Sequence, residues 1–171
     1  MIVILRDIRS LYNVGSIFRT ADAAGVEKIY LCGITPEPVD RFGKIRTQLA
    51  KVSLGAEKTV AWEKCSSASR VIDRLKKEGY KILAIEQSKR AIPYFELRMS
   101  DLRLKKAALI LGSETRGLTP SILKRADAIL EIPMRGAVVR QAHHPRRIGR
   151  GKESLNVAVA FGIVAFQLIY G

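Results

Sequence analysis

Short apolar runs alternate with amphipathic segments along most of the chain. The apolar runs predict strands at residues 2–5, 28–32, 59–62, 81–85, 107–111 and 128–132. Apolar residues at helical spacing predict helices between the strands, at 13–25, 45–52, 68–77 and 120–125, whereas residues 87–103 fit neither pattern. Strands that alternate with helices predict an α/β fold, a three-layer domain around a mostly parallel sheet.

The longest apolar segment covers residues 155–170 and predicts a helix of about four turns. It is shorter than a membrane span and contains Asn156 and Gln167, so we interpret it as a core or interface helix. Before it lies the basic tract 137–151, AVVRQAHHPRRIGRG, which follows one Arg-Gly pair, at 135–136, and ends in another, at 150–151. We interpret this tract as an insert, because its removal rejoins the chain as IPMRG-KESLNVAVAFG, a strand, a tight polar turn and a helix. The fold can accommodate it, since the longer loop costs little chain entropy, on the order of 1 kcal/mol.

The length of 171 residues predicts a single domain, 1–171, with an adequate core. The net charge of +14 makes a polyanion the leading partner, either nucleic acid or an anionic membrane surface, with a merely solvated basic surface as the alternative.

Cys32 and Cys65 lie far apart and are not spaced as metal ligands, which favours a reducing, cytoplasmic setting and no zinc site. Because no carboxylate accompanies His143 and His144 in the tract, we expect them to be solvated, and we expect no metal, signal peptide or membrane span.

The unusual residues of the sequence cluster in the loops that follow the predicted strands. In NVGSIFRTADAAG, residues 13–25, Asn13 stands at a predicted helix N-cap and Gly15 permits close backbone approach by an anion. Arg19 either shares that helix end with a ribose-phosphate or faces solvent; the spacing leaves both open. In LILGSETRGL, residues 109–118, a strand runs into a glycine-containing turn that carries Glu114. Neither a phosphate loop nor GxGxxG is present, which disfavours an oxidoreductase.

These two stretches, together with IPM at 132–134 and SLNVAVAFG at 154–162, resemble the three motifs of one enzyme family. The family is the SpoU or TrmH class of RNA ribose 2'-O-methyltransferases, within the SPOUT superfamily. The resemblance spans essentially the whole chain except residues 137–151. It implies a parallel sheet with a deep C-terminal trefoil knot, an exception to the rule against knotted chains. It also implies S-adenosylmethionine as cofactor and a homodimer with the C-terminal helix across its interface.

The resemblance also implies the site residues. Gly112, Ile132 and Leu155 would contact the adenosine of the cofactor, with Ile85, Glu114, Met134 and Ser154 nearby. The ribose hydroxyl would be surrounded by four polar side chains, those of Asn13, Arg19, Glu114 and Asn156. In the family the first-motif arginine is assigned to activation of the hydroxyl. Because a guanidinium stays protonated, we expect Arg19 instead to orient the hydroxyl through its phosphate and to stabilise developing negative charge.

The expected substrate is RNA, transfer RNA rather than ribosomal RNA. Family members with long N-terminal extensions carry a separate RNA-binding domain, whereas here the first motif already starts at Asn13. We therefore expect recognition by the basic surface of the catalytic domain. Candidates are Arg41, Lys44, Arg46 and Lys51 on one predicted helix, and Lys89 and Arg90 after a strand. The alternative function is a basic RNA-binding protein on a catalytically impaired methyltransferase scaffold, with the insert disrupting the cofactor pocket.

Overall fold

A computed structural model describes residues 1–97, 106–134 and 154–171. Its seven strands form one sheet in the order β3, β2, β1, β6, β4, β7, β5, and every strand pair in the sheet is parallel. The strands are β1 Ile2–Arg6, β2 Lys28–Cys32, β3 Ala61–Cys65, β4 Lys81–Ile85, β5 Ile92–Pro93, β6 Ala107–Leu111 and β7 Ala128–Glu131. The predicted α/β class with a parallel sheet is therefore confirmed.

Helices cover both faces of the sheet. They are α1 Leu11–Ala23, α2 Thr47–Ser53, α3 Ala56–Thr59, α4 Ala68–Lys77, α5 Pro120–Leu123 and α6 Val157–Tyr170, with a 3-10 turn at Tyr94–Glu96. Because side chains alternate along a strand, Val3 and Leu5 of β1 pack with α1 and α6, whereas Ile2 and Ile4 pack with α4 on the opposite face. Two apolar clusters separated by the sheet give the three layers that the sequence predicts.

Local predictions were wrong where tertiary packing or side-chain capping decides the structure. Helix α1 begins at Leu11 with Ser10 as its N-cap, so Asn13 lies inside the helix. The predicted strand at 59–62 starts only at Ala61, because the preceding residues form the short helix α3. Residues 87–97, which fitted neither pattern, contain β5 and the 3-10 turn. The rest of the stretch 87–103 lies outside the described residues.

The C-terminal segment forms a helix, as predicted. The buried side of α6 carries Val157, Phe161, Val164, Ala165 and Leu168. Val159, Phe166 and Tyr170 are exposed on this helix, at a spacing that puts them on one stripe. Within the described ranges, no helix is both long enough and apolar enough to pass through a membrane. The proposed insert 137–151, with its two histidines, lies outside the described residues.

Because all strands run parallel, their carboxyl ends meet at one edge of the sheet. The loops after β1, β2, β4, β6 and β7 therefore share that edge. Ligands of open parallel sheets bind at this edge, where the connections leave room between strands. Strand β4 lies between β6 and β7 in this sheet, although the three strands are separated in the sequence. The fold thus gathers distant motifs at one place.

Candidate functional site

A cavity of about 460 Å³ lies at the carboxyl ends of β4, β6 and β7, against the first turn of α6. This volume falls in the usual range for cofactor sites. Ile85, the last residue of β4, pairs in register with Leu111 of β6 and with Leu130 of β7, so it lies at the centre of the cavity floor. The floor is therefore apolar, while the walls come from loops that offer backbone polar groups.

The cavity brings together the six residues that the family resemblance implies for the cofactor. All six line it: Ile85, Gly112, Ile132, Met134, Ser154 and Leu155. They come from four separate segments, namely the end of β4, the loops after β6 and β7, and the residues before α6. Met134 and Ser154 line the same cavity although the residues between them lie outside the described chain.

The loop from Gly112 to Leu118 forms a compact wall of the cavity. Ser113 and Gly117 make an isolated antiparallel bridge, and the Gly117 N–H donates a 2.8 Å hydrogen bond to the Ser113 carbonyl. A Cβ atom at Gly112 would lie 2.6 Å from the carbonyl oxygen of Gly117 and 2.8 Å from the nitrogen of Leu118. Glycine at 112 is therefore required because the loop folds back directly onto it.

Glu86, which sequence reasoning did not single out, holds that loop in place. Its carboxylate lies beneath Gly117 and accepts hydrogen bonds from the backbone N–H of Leu118, at 2.6 Å, and of Gln87, at 3.1 Å. The backbone N–H of Glu86 donates to the Leu130 carbonyl at 3.0 Å. One residue thus connects the ends of β4, β6 and β7. Its only signal in the sequence was its place directly after a strand.

The described residues that line the cavity have a charge opposite to that of the protein as a whole. Among residues 1–97, 106–134 and 154–171, the charged residues that line it are three acidic ones, Glu86, Glu114 and Glu131, and one basic one, Arg116. The whole chain carries a net charge of +14. A concave site of this polarity favours a ligand that carries positive charge over a purely anionic one.

A chain of side-chain hydrogen bonds runs along the rim of the cavity. The Asn13 amide nitrogen donates to the Glu114 carboxylate, and the Asn156 amide nitrogen donates to the Asn13 carbonyl oxygen at 3.0 Å. Asn156 also caps α6, because its side-chain oxygen accepts a 2.9 Å hydrogen bond from the Ala158 N–H. Three of the four residues predicted to surround the ribose hydroxyl are therefore in direct contact.

Asn13 reaches this position because it does not act as the helix cap. Ser10 takes that role, and its hydroxyl accepts a 3.3 Å hydrogen bond from the Asn13 N–H. The Asn13 side chain is thus available to bond across to the loop after β6. Gly15 packs against α2 instead of an anion, since a Cβ there would lie 2.7 Å from the Leu49 carbonyl oxygen.

Arg19, the fourth predicted residue, is exposed on α1 and is not part of the cavity lining. It lies six positions beyond Asn13 on the same helix, which turns its side chain away from that of Asn13.

Among residues 1–97, 106–134 and 154–171, no group of three or more His, Cys, Asp or Glu side chains is arranged to hold a metal ion.

Comparison with known proteins matches residues 1–166 of the chain to the SpoU rRNA Methylase family. A 23S rRNA (guanosine-2'-O-)-methyltransferase, RlmB of Coxiella burnetii, is 30% identical over 171 aligned residues, covering 98% of this chain and 57% of the relative. The chain thus spans little more than half the length of the curated relatives that it matches.

Solved structures share the architecture over nearly the whole chain. A TrmH/SpoU tRNA modifying enzyme of A. aeolicus has a TM-score of 0.72 at 28% identity, covering 97% of this chain and 72% of that one. An AdoMet-bound rRNA methyltransferase of Sinorhizobium meliloti has a TM-score of 0.75 at 26% identity, covering 97% of this chain and 54% of that one.

Proposed function

Because the chain belongs to the SpoU rRNA methylase family, we propose that it transfers a methyl group from S-adenosylmethionine to a ribose 2'-hydroxyl of RNA. The observation that carries this proposal is the cavity between β6, β4 and β7. The six residues that the family resemblance implies for the cofactor meet there, and the hydrogen-bonded residues Glu114, Asn13 and Asn156 border it. A scaffold that binds RNA without chemistry gives no reason for this arrangement.

The chemistry of the cavity fits the proposed cofactor. The apolar floor around Ile85 suits an adenine ring, and the wall at Gly112 offers backbone groups to its edge. S-adenosylmethionine carries a positive sulfonium, whereas the demethylated product does not. The carboxylates of Glu86, Glu114 and Glu131 therefore favour the charged donor electrostatically. Loss of that charge on transfer weakens the attraction and promotes product release.

In the proposed reaction the ribose oxygen attacks the methyl carbon in line with the sulfur. The bond from oxygen to methyl forms as the bond from sulfur to methyl breaks, and the hydroxyl proton leaves to solvent. The protein's contribution is alignment, because both reactants must meet at contact distance. The Asn13 and Asn156 amides, fixed to each other and to Glu114, supply donors and acceptors that hold the hydroxyl in that position.

We assign Arg19 to the RNA and not to the cofactor. It is exposed on α1 outside the cavity, where a guanidinium can bind the phosphate next to the reacting ribose. Such a contact orients the hydroxyl and stabilises the negative charge that develops on it. The Arg19→Ala variant should lose turnover with only a modest change in cofactor affinity. Arg70→Ala, which removes an exposed arginine from α4 on the opposite face of the sheet, is the matched control.

The working form of the protein, in this proposal, is a homodimer in which the exposed stripe of α6 is covered by a second copy. Val159, Phe166 and Tyr170 form that stripe, and the rings of Phe166 and Tyr170 lie 5.7 Å apart. An apolar stripe on an otherwise polar surface is typical of an interface. The proposal includes a single domain with an insert at 137–151 and, from the family resemblance, the C-terminal trefoil knot.

Transfer RNA is the first substrate to test and ribosomal RNA the second. The printed names of similar proteins include both a tRNA modifying enzyme and 23S rRNA methyltransferases. Basic side chains at the carboxyl edge, including Arg9 after β1 and Arg116 after β6, suit either RNA because phosphates are common to both.

The test is transfer of labelled methyl groups from S-adenosylmethionine to purified transfer RNA or ribosomal RNA. The product is hydrolysed in alkali, because a methylated 2'-oxygen blocks cleavage and leaves an alkali-resistant dinucleotide for sequencing. We expect such dinucleotides at one position in one RNA class. Binding of RNA with no cofactor binding and no methylation would favour the impaired scaffold instead.

A further inference from the structure

A loop far from the cavity along the chain presents an aromatic side chain to solvent. Residues 38–46, here called the tip, form the last part of the connection from β2 to α2 and have the sequence PVDRFGKIR. Phe42 is 71% exposed and Ile45 is 42% exposed. Exposed apolar side chains that form a patch mark binding surfaces, whereas a singly exposed apolar residue needs no explanation.

The tip is ordered by its own hydrogen bonds. The Asp40 carboxylate accepts from the backbone N–H of Phe42 at 2.8 Å and of Lys44 at 2.9 Å. Val39 and Ile45 make an antiparallel bridge, and Gly43 adopts a φ of 76° that completes the turn. The structure thus fixes Phe42 outward in advance, so binding there costs little conformational entropy.

The outward charge of the tip is positive. Its single acidic side chain, Asp40, is engaged in the backbone bonds, whereas the side chains of Arg41 and Lys44 are exposed. The Arg41 guanidinium lies over the Phe42 ring, 4.6 Å from its centroid, and the exposure of that ring leaves its other face open. A cation stacked on one ring face and an open second face suit a nucleic-acid base, which stacks on aromatic rings beside its negative phosphate.

The tip is connected to the candidate site through rigid packing. It leads directly into α2, whose Leu49 carbonyl packs against Gly15 of α1. Two residues before Gly15, Asn13 bonds to Glu114 at the cavity rim. The tip also follows the carboxyl end of β2, at the sheet edge that holds the cavity. An RNA strand whose ribose enters the site can therefore extend along this edge to Phe42.

From these observations we infer that the tip is an RNA-docking element in which an unpaired base stacks on the open face of Phe42 while Arg41 and Lys44 bind the adjoining phosphates. This inference rests on the proposed function, since it concerns the substrate of the same site. It also corrects the sequence prediction, in which Arg41, Lys44, Arg46 and Lys51 shared one helix: α2 begins only at Thr47, and the first three belong to the tip.

The test compares variants of Phe42 in RNA binding. A fluorescently labelled 12-nucleotide single-stranded oligoadenylate and a blunt RNA duplex are the probes, titrated against the full chain. We expect Phe42→Ala to weaken single-strand binding about tenfold, because one base loses its stacking surface. Phe42→Trp, which keeps an aromatic face, should bind within about twofold of wild type, and Phe42→Leu, which keeps only apolar bulk, should behave as Phe42→Ala. Duplex binding should not change, since its bases are already stacked.

A second readout identifies the phosphate contacts. Lys44→Gln should weaken all single-strand sequences alike and reduce the slope of log affinity against log salt by about 0.7. Equal single-strand affinity of wild type and Phe42→Ala would overturn the inference. So would a change of molecular mass for Phe42→Ala in sedimentation with RNA binding intact, because the tip would then be a contact between copies of the chain.

Failure of this inference is distinguishable from failure of the proposed function. All Phe42 variants should bind S-adenosylmethionine as wild type does, because the tip does not line the cavity. If wild type methylates RNA and Phe42→Ala does so with unchanged kcat/KM, the inference alone fails. If wild type neither binds the cofactor nor methylates RNA, the proposed function fails, and the stacking effect is still measurable.

Discussion

The Asn156 side-chain amide donates a 3.0 Å hydrogen bond to the side-chain oxygen of Asn13, a residue 143 positions earlier in the chain. The same Asn156 side chain caps α6 through its oxygen, and Asn13 continues the connection to Glu114. The start of the last helix and the start of the first are thereby fixed to one loop at the cavity rim. Structural capping and site assembly use opposite ends of one amide group.

Because the Asn156 oxygen caps α6 and its nitrogen binds Asn13, two variants of this residue should behave differently. Asn156→Asp keeps the oxygen that caps α6 but removes the donor to Asn13, so stability should be retained while methyl transfer falls at least tenfold. Asn156→Ala loses both functions and should also lower the free energy of unfolding by about 1 kcal/mol. Urea unfolding and single-turnover transfer measure the two effects. Equal activity of wild type and Asn156→Asp would show that the Asn13 contact is dispensable.

Gly112→Ala should abolish cofactor binding. The added methyl group would meet the backbone of Gly117 and Leu118, which cannot shift without displacing the cavity wall. Gly162→Ala on α6 is the matched control, because its Cβ makes only an ordinary 3.5 Å contact with Thr20 and alanine favours the helix by roughly 0.5–1 kcal/mol. Calorimetry with S-adenosylmethionine and thermal unfolding measure both variants. Wild-type cofactor affinity in Gly112→Ala would show that the loop from Gly112 to Leu118 does not form part of the cofactor site.

Glu86→Gln should lower cofactor affinity on the order of tenfold while the protein stays folded. The amide replaces one of two carboxylate oxygens that accept from Leu118 and Gln87, and its NH2 group cannot accept either bond. It also removes one negative charge from the cavity. Affinity for S-adenosylmethionine should fall more than that for the uncharged sulfur product, which competition binding can measure. An equal loss of affinity for both ligands would indicate that Glu86 only supports the loop and that its charge does not contribute.

The Cys32 thiol should react slowly in the folded protein. Burial raises the pKa of the Cys32 thiol to about 12 from an ordinary 9.0, and burial together with the Glu63 hydrogen bond raises the pKa of Cys65. At pH 8 iodoacetamide should therefore alkylate Cys32 at least a hundredfold more slowly in the native protein than in urea. Mass spectrometry of quenched samples follows the reaction, and rapid native modification of Cys32 would contradict the expectation.

The raised pKa of Cys32 also makes the stability of the folded protein depend on pH. Unfolding releases the Cys32 thiol to ionise, so its contribution is complete below pH 9 and is lost as the pH rises from about 9 towards 12. Urea midpoints of wild type should fall more steeply over this interval than those of Cys32→Ala, which lacks the group. Parallel pH profiles for the two proteins would exclude the effect.

The central sheet was predictable because its strands are nearly continuous apolar runs. β2, β4 and β6 were predicted with their observed bounds, since each contains at least four consecutive apolar residues, as buried parallel strands do. β3 was displaced because it is an edge strand, and Glu63 and Lys64 interrupt its apolar pattern. The two-residue β5 and the short α3 carry too few residues for any periodicity to appear.

The site was predictable only as far as motifs reach. Family resemblance identified the cavity residues from Ile85 to Leu155, but nothing in local spacing revealed that Glu86 supports Leu118. Asn13 was mistaken for a cap because capping residues and site residues share the same chemistry, and only the position of Ser10 decides between them. Likewise the helical pattern across 45–52 concealed the turn organised by Asp40.

Calorimetric titration of the full chain with S-adenosylmethionine tests the central claim most directly, because every proposed role depends on the cavity at Ile85, Gly112 and Ile132 holding that molecule. We predict micromolar affinity with one site per chain, lost in Gly112→Ala and kept in Phe42→Ala. Absence of binding at millimolar cofactor, in protein that unfolds cooperatively, would contradict the account.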